Sequence, residues 1–189
     1  VVYEALSAVI DQITLSMDLQ KELIKAHNKQ QAEKITRFIG SDPARFACLI
    51  KIYLQGPYRI TQRASWPIGK CIEKDPALVG PHLKPLLDFL KKPGVHDAVK
   101  RNTMRLLQYI DIPKRNQDQV MTICFEYLQE PKLAVAIKVF SMTALMKIIH
   151  DKPELLQELR VIIEDEFPYA TAAYRSRGLK VLKQIQSLS

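Results

Sequence analysis

Glycine is scarce in this chain and cysteine scarcer, with six Gly and three Cys in 189 residues. So few glycines, with Val, Ile and Leu set three and four residues apart rather than alternating, argue against a sheet protein and for an all-α one. Cys48, Cys71 and Cys124 are odd in number, far apart, and embedded in apolar runs such as Ala47-Cys48-Leu49-Ile50 and Thr122-Ile123-Cys124-Phe125. That excludes a disulfide framework and suits buried free thiols in a reducing cytoplasm. Apolar runs are also short: none reaches the roughly 18 residues of a membrane-spanning helix. The stretch from Val1 to Met17 is apolar but contains Glu4 and Asp11, lacks a basic leading segment, and shows no small-residue cleavage pattern. It reads as a helix on the stripe Leu6, Ile10, Ile13 and Met17, not as a signal peptide.

The patterns that carry chemistry are missing as well. His27, His82, His96 and His150 stand far apart and none has a Cys, His or paired acid three or four residues away, so zinc is not expected. Gly69-Lys70 has Ala64 where a phosphate loop needs Gly, and Cys71 where it needs Ser or Thr. No G-x-S-x-G elbow occurs, and Ser141 lies within a helical stripe, where its hydroxyl bonds back to the backbone. Glu164-Asp165-Glu166 splay around a helix end and read as a solvated terminus rather than a catalytic pair. The sequence thus offers no catalytic residue, no cofactor site and no metal site, and reads as non-enzymatic.

What is present is a repeat. A helical block recurs about every 33 to 40 residues, the period of stacked helix pairs. Its basic anchors Arg63, Arg101, Lys138 and Arg175 stand 38, 37 and 37 residues apart. Asp42-Pro43, Asp75-Pro76, Ile112-Pro113 and Lys152-Pro153 close one block and open the next. The spacing predicts helices over Leu19 to Phe38, Ala44 to Leu54, Tyr58 to Glu73, Leu83 to Leu90, Ala98 to Tyr109, Asp118 to Leu128, Lys132 to Ile149, Glu154 to Phe167 and Ala172 to Leu188. Each has an apolar stripe that only stacking would bury. The expected architecture is a right-handed α-α superhelix of about five helix pairs, one domain over 1–189, less regular over 1–40 and repeating over 41–189.

The chain resembles the HEAT-repeat superfamily over roughly residues 29 to 189. More narrowly, Gly56-Pro57-Tyr58-Arg59-Ile60-Thr61-Gln62-Arg63-Ala64-Ser65-Trp66-Pro67, with Ala98-Val99-Lys100-Arg101-Asn102 and Ala136-Ile137-Lys138-Val139-Phe140, is similar to uncharacterised bacterial HEAT-repeat proteins. The resemblance implies a helical-repeat fold and a cytoplasmic setting, and it brings no catalytic residues.

Charge supplies the remaining signal. Lys plus Arg number 28 against 20 Asp plus Glu, a net charge of +8 and a pI near 9.4, spread over most of the chain. Such a surplus attracts phosphates, anionic surfaces or acidic proteins. Over Tyr58 to Glu73 it concentrates: Arg59, Arg63, Trp66 and Lys70 share one helix face, with Ile60, Ala64, Ile68 and Cys71 on another. Arg101 and Arg105 continue the stripe on a later helix, and at Lys138, Met142 and Leu145 it turns apolar. Two roles fit: a ladder to acids such as Asp75, Asp97 and Asp111 in adjoining units, or a binding wall. Trp66, before Pro67, suits packing at a bend over Phe46, Tyr53 and Tyr58 as well as stacking. The binding residues expected are Arg59, Arg63, Trp66, Lys70, Arg101, Arg105 and Lys138, holding a protein or peptide on a concave face. The alternative is a DNA- or RNA-binding module similar to the HEAT-like-repeat alkylpurine DNA glycosylases, although no Asp or Glu shares the face of Trp66.

Overall fold

The computed structural model describes residues 17–188, which are helical wherever they are regular. The predicted first helix, with Leu6, Ile10 and Ile13, lies outside them. In order the elements are α1 (Leu19–Lys25), α2 (Lys29–Ile39), α3 (Pro43–Gln55), α4 (Tyr58–Lys74), a 3₁₀ turn (Pro76–His82), α5 (Leu83–Leu90), α6 (Asp97–Leu106), α7 (Lys114–Gln129), α8 (Val135–Ile148), α9 (Pro153–Glu166), a second 3₁₀ turn (Phe167–Tyr169) and α10 (Ala172–Leu188). The chain is all-α, as its sequence predicts.

Side-chain caps set several of the starts. Asp42 accepts from Ala44 N at 2.9 Å and Arg45 N at 3.1 Å, with Pro43 in the first turn where a missing N–H costs nothing. The single helix predicted from Leu19 to Phe38 is instead two. Ala26 is extended, and Asn28 caps a new helix by accepting from Gln31 N at 2.8 Å. The segment from Pro76 to His82 winds into a 3₁₀ turn, with Asp75 accepting from Ala77 N.

The elements group into two compact units, Val1–Lys92 and Pro93–Ser189. In the first, α4 is the hub: α1, α2, α3 and the 3₁₀ turn all pack on it. Its inner side buries Ile60, Ala64, Ile68, Cys71 and Ile72, and the helix passes unbroken through a buried Pro67. In the second unit α8 is the hub, touching α6, α7 and α10, while α9 packs on α7 and α10. Neighbours on three sides explain why α8 is apolar around most of its circumference.

Gly178, midway along α10, allows a close crossing. A Cβ there would stand 2.8 Å from Phe167 Cε2 and 3.0 Å from Ile163 Cγ2. Gly69 on α4 has nothing within 4 Å of the same position. Both gain helix propensity from alanine, so the two substitutions separate sterics from propensity. Gly69→Ala is expected to stabilise by up to about 1 kcal/mol, whereas Gly178→Ala is expected to destabilise by about 1–2 kcal/mol through overpacking. Thermal unfolding checks both, and a Gly178→Ala chain as stable as the parent would show that the Phe167 ring yields without cost.

Candidate functional site

The predicted basic stripe begins on α4, where Arg59, Arg63, Trp66 and Lys70 follow one another at helical steps. Arg59 is exposed. Arg63 is engaged: its Nη1 donates to Leu23 O at 3.0 Å and also to Ile24 O, both at the C-terminal end of α1. Trp66 is half-buried, its ring centroid 5.9 Å from that of His27 in the turn between α1 and α2. The aromatic cluster predicted beneath it does not form. Phe46 meets His82 and Tyr53 meets Phe89, each at 5.7 Å between centroids, and Tyr58 is exposed. Lys70 Nζ lies 3.8 Å from Glu33 Oε1 on α2. The α1–α2 hairpin therefore sits along the inner part of the stripe.

That hairpin has its own ionic centre. Glu22 accepts from Gln31 at 2.7 Å, from Lys34 at 2.9 Å and from Lys25. These donors, Lys25 first, lower its carboxyl from an ordinary 4.5 to about 2.

The other predicted residues belong to the second unit. Arg101 and Arg105 are exposed on α6. Lys138 is buried within α8, its Nζ 3.5 Å from Glu166 Oε1 at the end of α9. An ammonium so placed neutralises a neighbouring carboxylate and presents no charge to a partner. Met142 and Leu145, read as an apolar end of the wall, belong to the core.

The ladder takes a different form from the one the sequence suggests. Asp75 caps its own turn, and Asp97 lies 3.8 Å from Lys100 one turn away. The basic side chains reach helix-end carbonyls instead. Arg175 donates to Phe167 O at 3.2 Å and Pro168 O at 3.3 Å, and Lys147 donates to Gln108 O at 3.1 Å and to Ile110 O. Lys147 escaped the sequence reading, although Arg63 and Lys147 each reach a carbonyl 40 positions back, at Leu23 and Leu107. A second feature escaped it too: α8 shows solvent a half-exposed face of Ala136, Val139, Phe140 and Thr143, with exposed Lys180 and half-exposed Arg177 on the adjoining α10. The signal was the absence of acid from Lys132 to Ile149 and from Thr171 to Leu188.

Reactive groups are muted elsewhere. Burial pushes the Cys71 thiol up to about 11 and raises those of Cys48 and Cys124, so none is a ready nucleophile at neutral pH. Among the described residues no group of three or more His, Cys, Asp or Glu is placed to hold a metal ion, and no helix is long and apolar enough to cross a membrane.

Two measurements follow from this geometry. Arg63→Ala is expected to lower the unfolding free energy by about 1–3 kcal/mol, the range for charge-assisted hydrogen bonds. Arg101→Ala is expected to stay within about 0.5 kcal/mol. Equal losses in denaturant titration would remove the distinction between anchoring and exposed arginines. Because the folded carboxyl of Glu22 is depressed, its contribution is complete above its ordinary 4.5 and is lost as pH falls through about 2. Amide protection in α1 and α2, taken relative to the intrinsic exchange rate at each pH, is expected to fall across that window in the parent and not in Glu22→Gln.

Comparison with known proteins agrees with this architecture. No curated protein and no solved structure matches the chain. The family model described as a HEAT repeat domain matches residues 19–185, from the start of α1 into the last turn of α10. The chain belongs to the HEAT-repeat family.

Proposed function

We propose that this chain is a non-enzymatic, cytoplasmic helical-repeat scaffold that binds another protein or a peptide by surface complementarity. Membership of a repeat family whose folds work as scaffolds supports the reading, and so does the chemistry of the exposed side chains. The observation that carries it is the half-exposed run of Ala136, Val139, Phe140 and Thr143 on α8, a helix that packs on α6 with its exposed Arg101 and Arg105. Apolar area next to basic side chains suits a protein surface, which offers both kinds of group, better than a phosphate backbone, which offers one. In the first unit the contacts proposed are Arg59, with Trp66 and Lys70 at the margin of the hairpin, and in the second unit, taken by itself, Arg101 and Arg105. Arg63 and Lys138 serve the folds of their own units.

The nucleic-acid reading has the net charge of +8 in its favour. It requires phosphate contacts that release counterions, hence binding that weakens steeply with salt. The half-buried, His27-packed Trp66 is a poor stacking platform for it. Titration of labelled duplex and single-stranded DNA at low salt separates the readings. Weak binding, little changed by Arg59→Glu with Arg101→Glu, is the outcome expected of a protein scaffold. Tight, steeply salt-dependent binding abolished by that pair would replace the scaffold reading with a nucleic-acid one.

A further inference from the structure

The second unit distributes its charge unevenly between two layers. α6, α8 and α10 lie side by side, α8 touching both neighbours, with α7 packed on α8 and α9 on α7 and α10. The first layer is nearly free of acid: α8 and α10 contain none, and α6 contributes only Asp97, which lies beside Lys100. In the other layer α9 is net acidic, with Glu154, Glu158, Glu164 and Asp165 exposed against Arg160, while on α7 exposed Lys114 and Arg115 are matched by Asp118 and Glu126.

Within the first layer the cations divide into two kinds. Lys138 is turned inward to Glu166, Lys147 to the carbonyls after α6, and Arg175 to those after α9. Arg101 and Lys180 are exposed and Arg177 is half-exposed. The half-exposed face of α8 contains Ala136, Val139, Phe140 and Thr143, and Lys147 follows on the same face with its Nζ held by the carbonyls after α6. The strip of Ala136, Val139, Phe140 and Thr143 thus lies on a helix whose two neighbours in the layer, α6 and α10, carry exposed cations and almost no acid.

Such neighbours select the sign of what binds, and such a strip selects its body. A phosphate laid across Val139 and Phe140 would lose hydration with no donor to replace it. An extended or helical peptide can put apolar side chains on the strip and carboxylates on the two neighbouring helices at once. We propose that this face binds an acidic protein segment whose apolar side chains seat on Val139 and Phe140 while its carboxylates meet Arg101 on α6 and Arg177 and Lys180 on α10. The proposal rests on the scaffold reading and names the partner's chemistry.

Panning a displayed library of random peptides against the full chain tests it, with fluorescence anisotropy on the enriched sequences. The expected result is enrichment of peptides that combine Asp or Glu with large apolar residues. Their affinity should fall roughly tenfold or more in Arg101→Glu with Lys180→Glu, and likewise in Val139→Asp, at unchanged melting temperature. All three substituted side chains are exposed or half-exposed, and a variant that melts early is replaced by Arg177→Glu or Thr143→Asp. Enrichment of neutral or basic peptides, or affinities unmoved by these variants, would overturn this inference and leave the scaffold reading intact. Equal binding of polyglutamate or duplex DNA would overturn it by showing that charge alone is read. No enrichment would overturn it as well, and the DNA titration above would then decide the scaffold reading separately.

Discussion

Each short helix in this chain ends in carbonyls that its own backbone cannot satisfy, and the fold depends on how those carbonyls find donors. Basic side chains supply them repeatedly. Arg45 reaches Phe38 O at 2.7 Å, Lys152 reaches Ile148 O at 2.9 Å, and Arg63, Lys147 and Arg175 reach the ends of α1, α6 and α9. The choice of cation has a reason, since the C-terminal end of a helix carries the negative pole of its dipole. It also has a structural consequence. Arg63 on α4 and Lys147 on α8 belong to the hubs of their units, so one contact both closes an earlier helix and holds it against the hub. Part of the positive surplus is therefore internal, and net charge by itself overstates how basic the accessible surface is.

Legibility followed the same physics. Where a break is written in residues with strong local effects, it could be placed: Gly56-Pro57 divides α3 from α4, and α10 runs from Ala172 to Leu188 as the spacing predicts. The break at Ala26-His27-Asn28 has neither Gly nor Pro, and apolar periodicity carries across it. A polar side chain at Asn28, able to accept from Gln31 N, was the only local sign. The seven residues from Pro76 to His82 were unreadable for the opposite reason, because two prolines in a short span suggest a linker, although they also suit the tight turns of a 3₁₀ segment.

The site was legible only in outline. Arg101 and Lys138 occupy matching repeat positions, yet one is exposed and the other is buried against Glu166. Helical spacing assigns a residue to a face of its own helix. It does not say whether a later element, here the end of α9, closes over that face. Likewise Arg63 shares a face with Arg59, but the α1–α2 hairpin engages one and leaves the other in solvent.

A repeated cation is thus a weak guide to function, because repetition is what a stacking role produces. Arg63 and Arg175 recur as sequence anchors and both contact helix-end carbonyls. Lys180 and Arg177 are not part of that pattern, and they stand on a helix without acid. A layer of net positive helices beside a net acidic α9 gives the second unit an electrical direction, which orients an approaching charged partner before contact. Orientation alone gives little discrimination, since carboxylate and phosphate are both drawn in. Discrimination requires short-range complementarity, and in the second unit that falls to Val139 and Phe140, where dehydration favours an apolar side chain and opposes a phosphate.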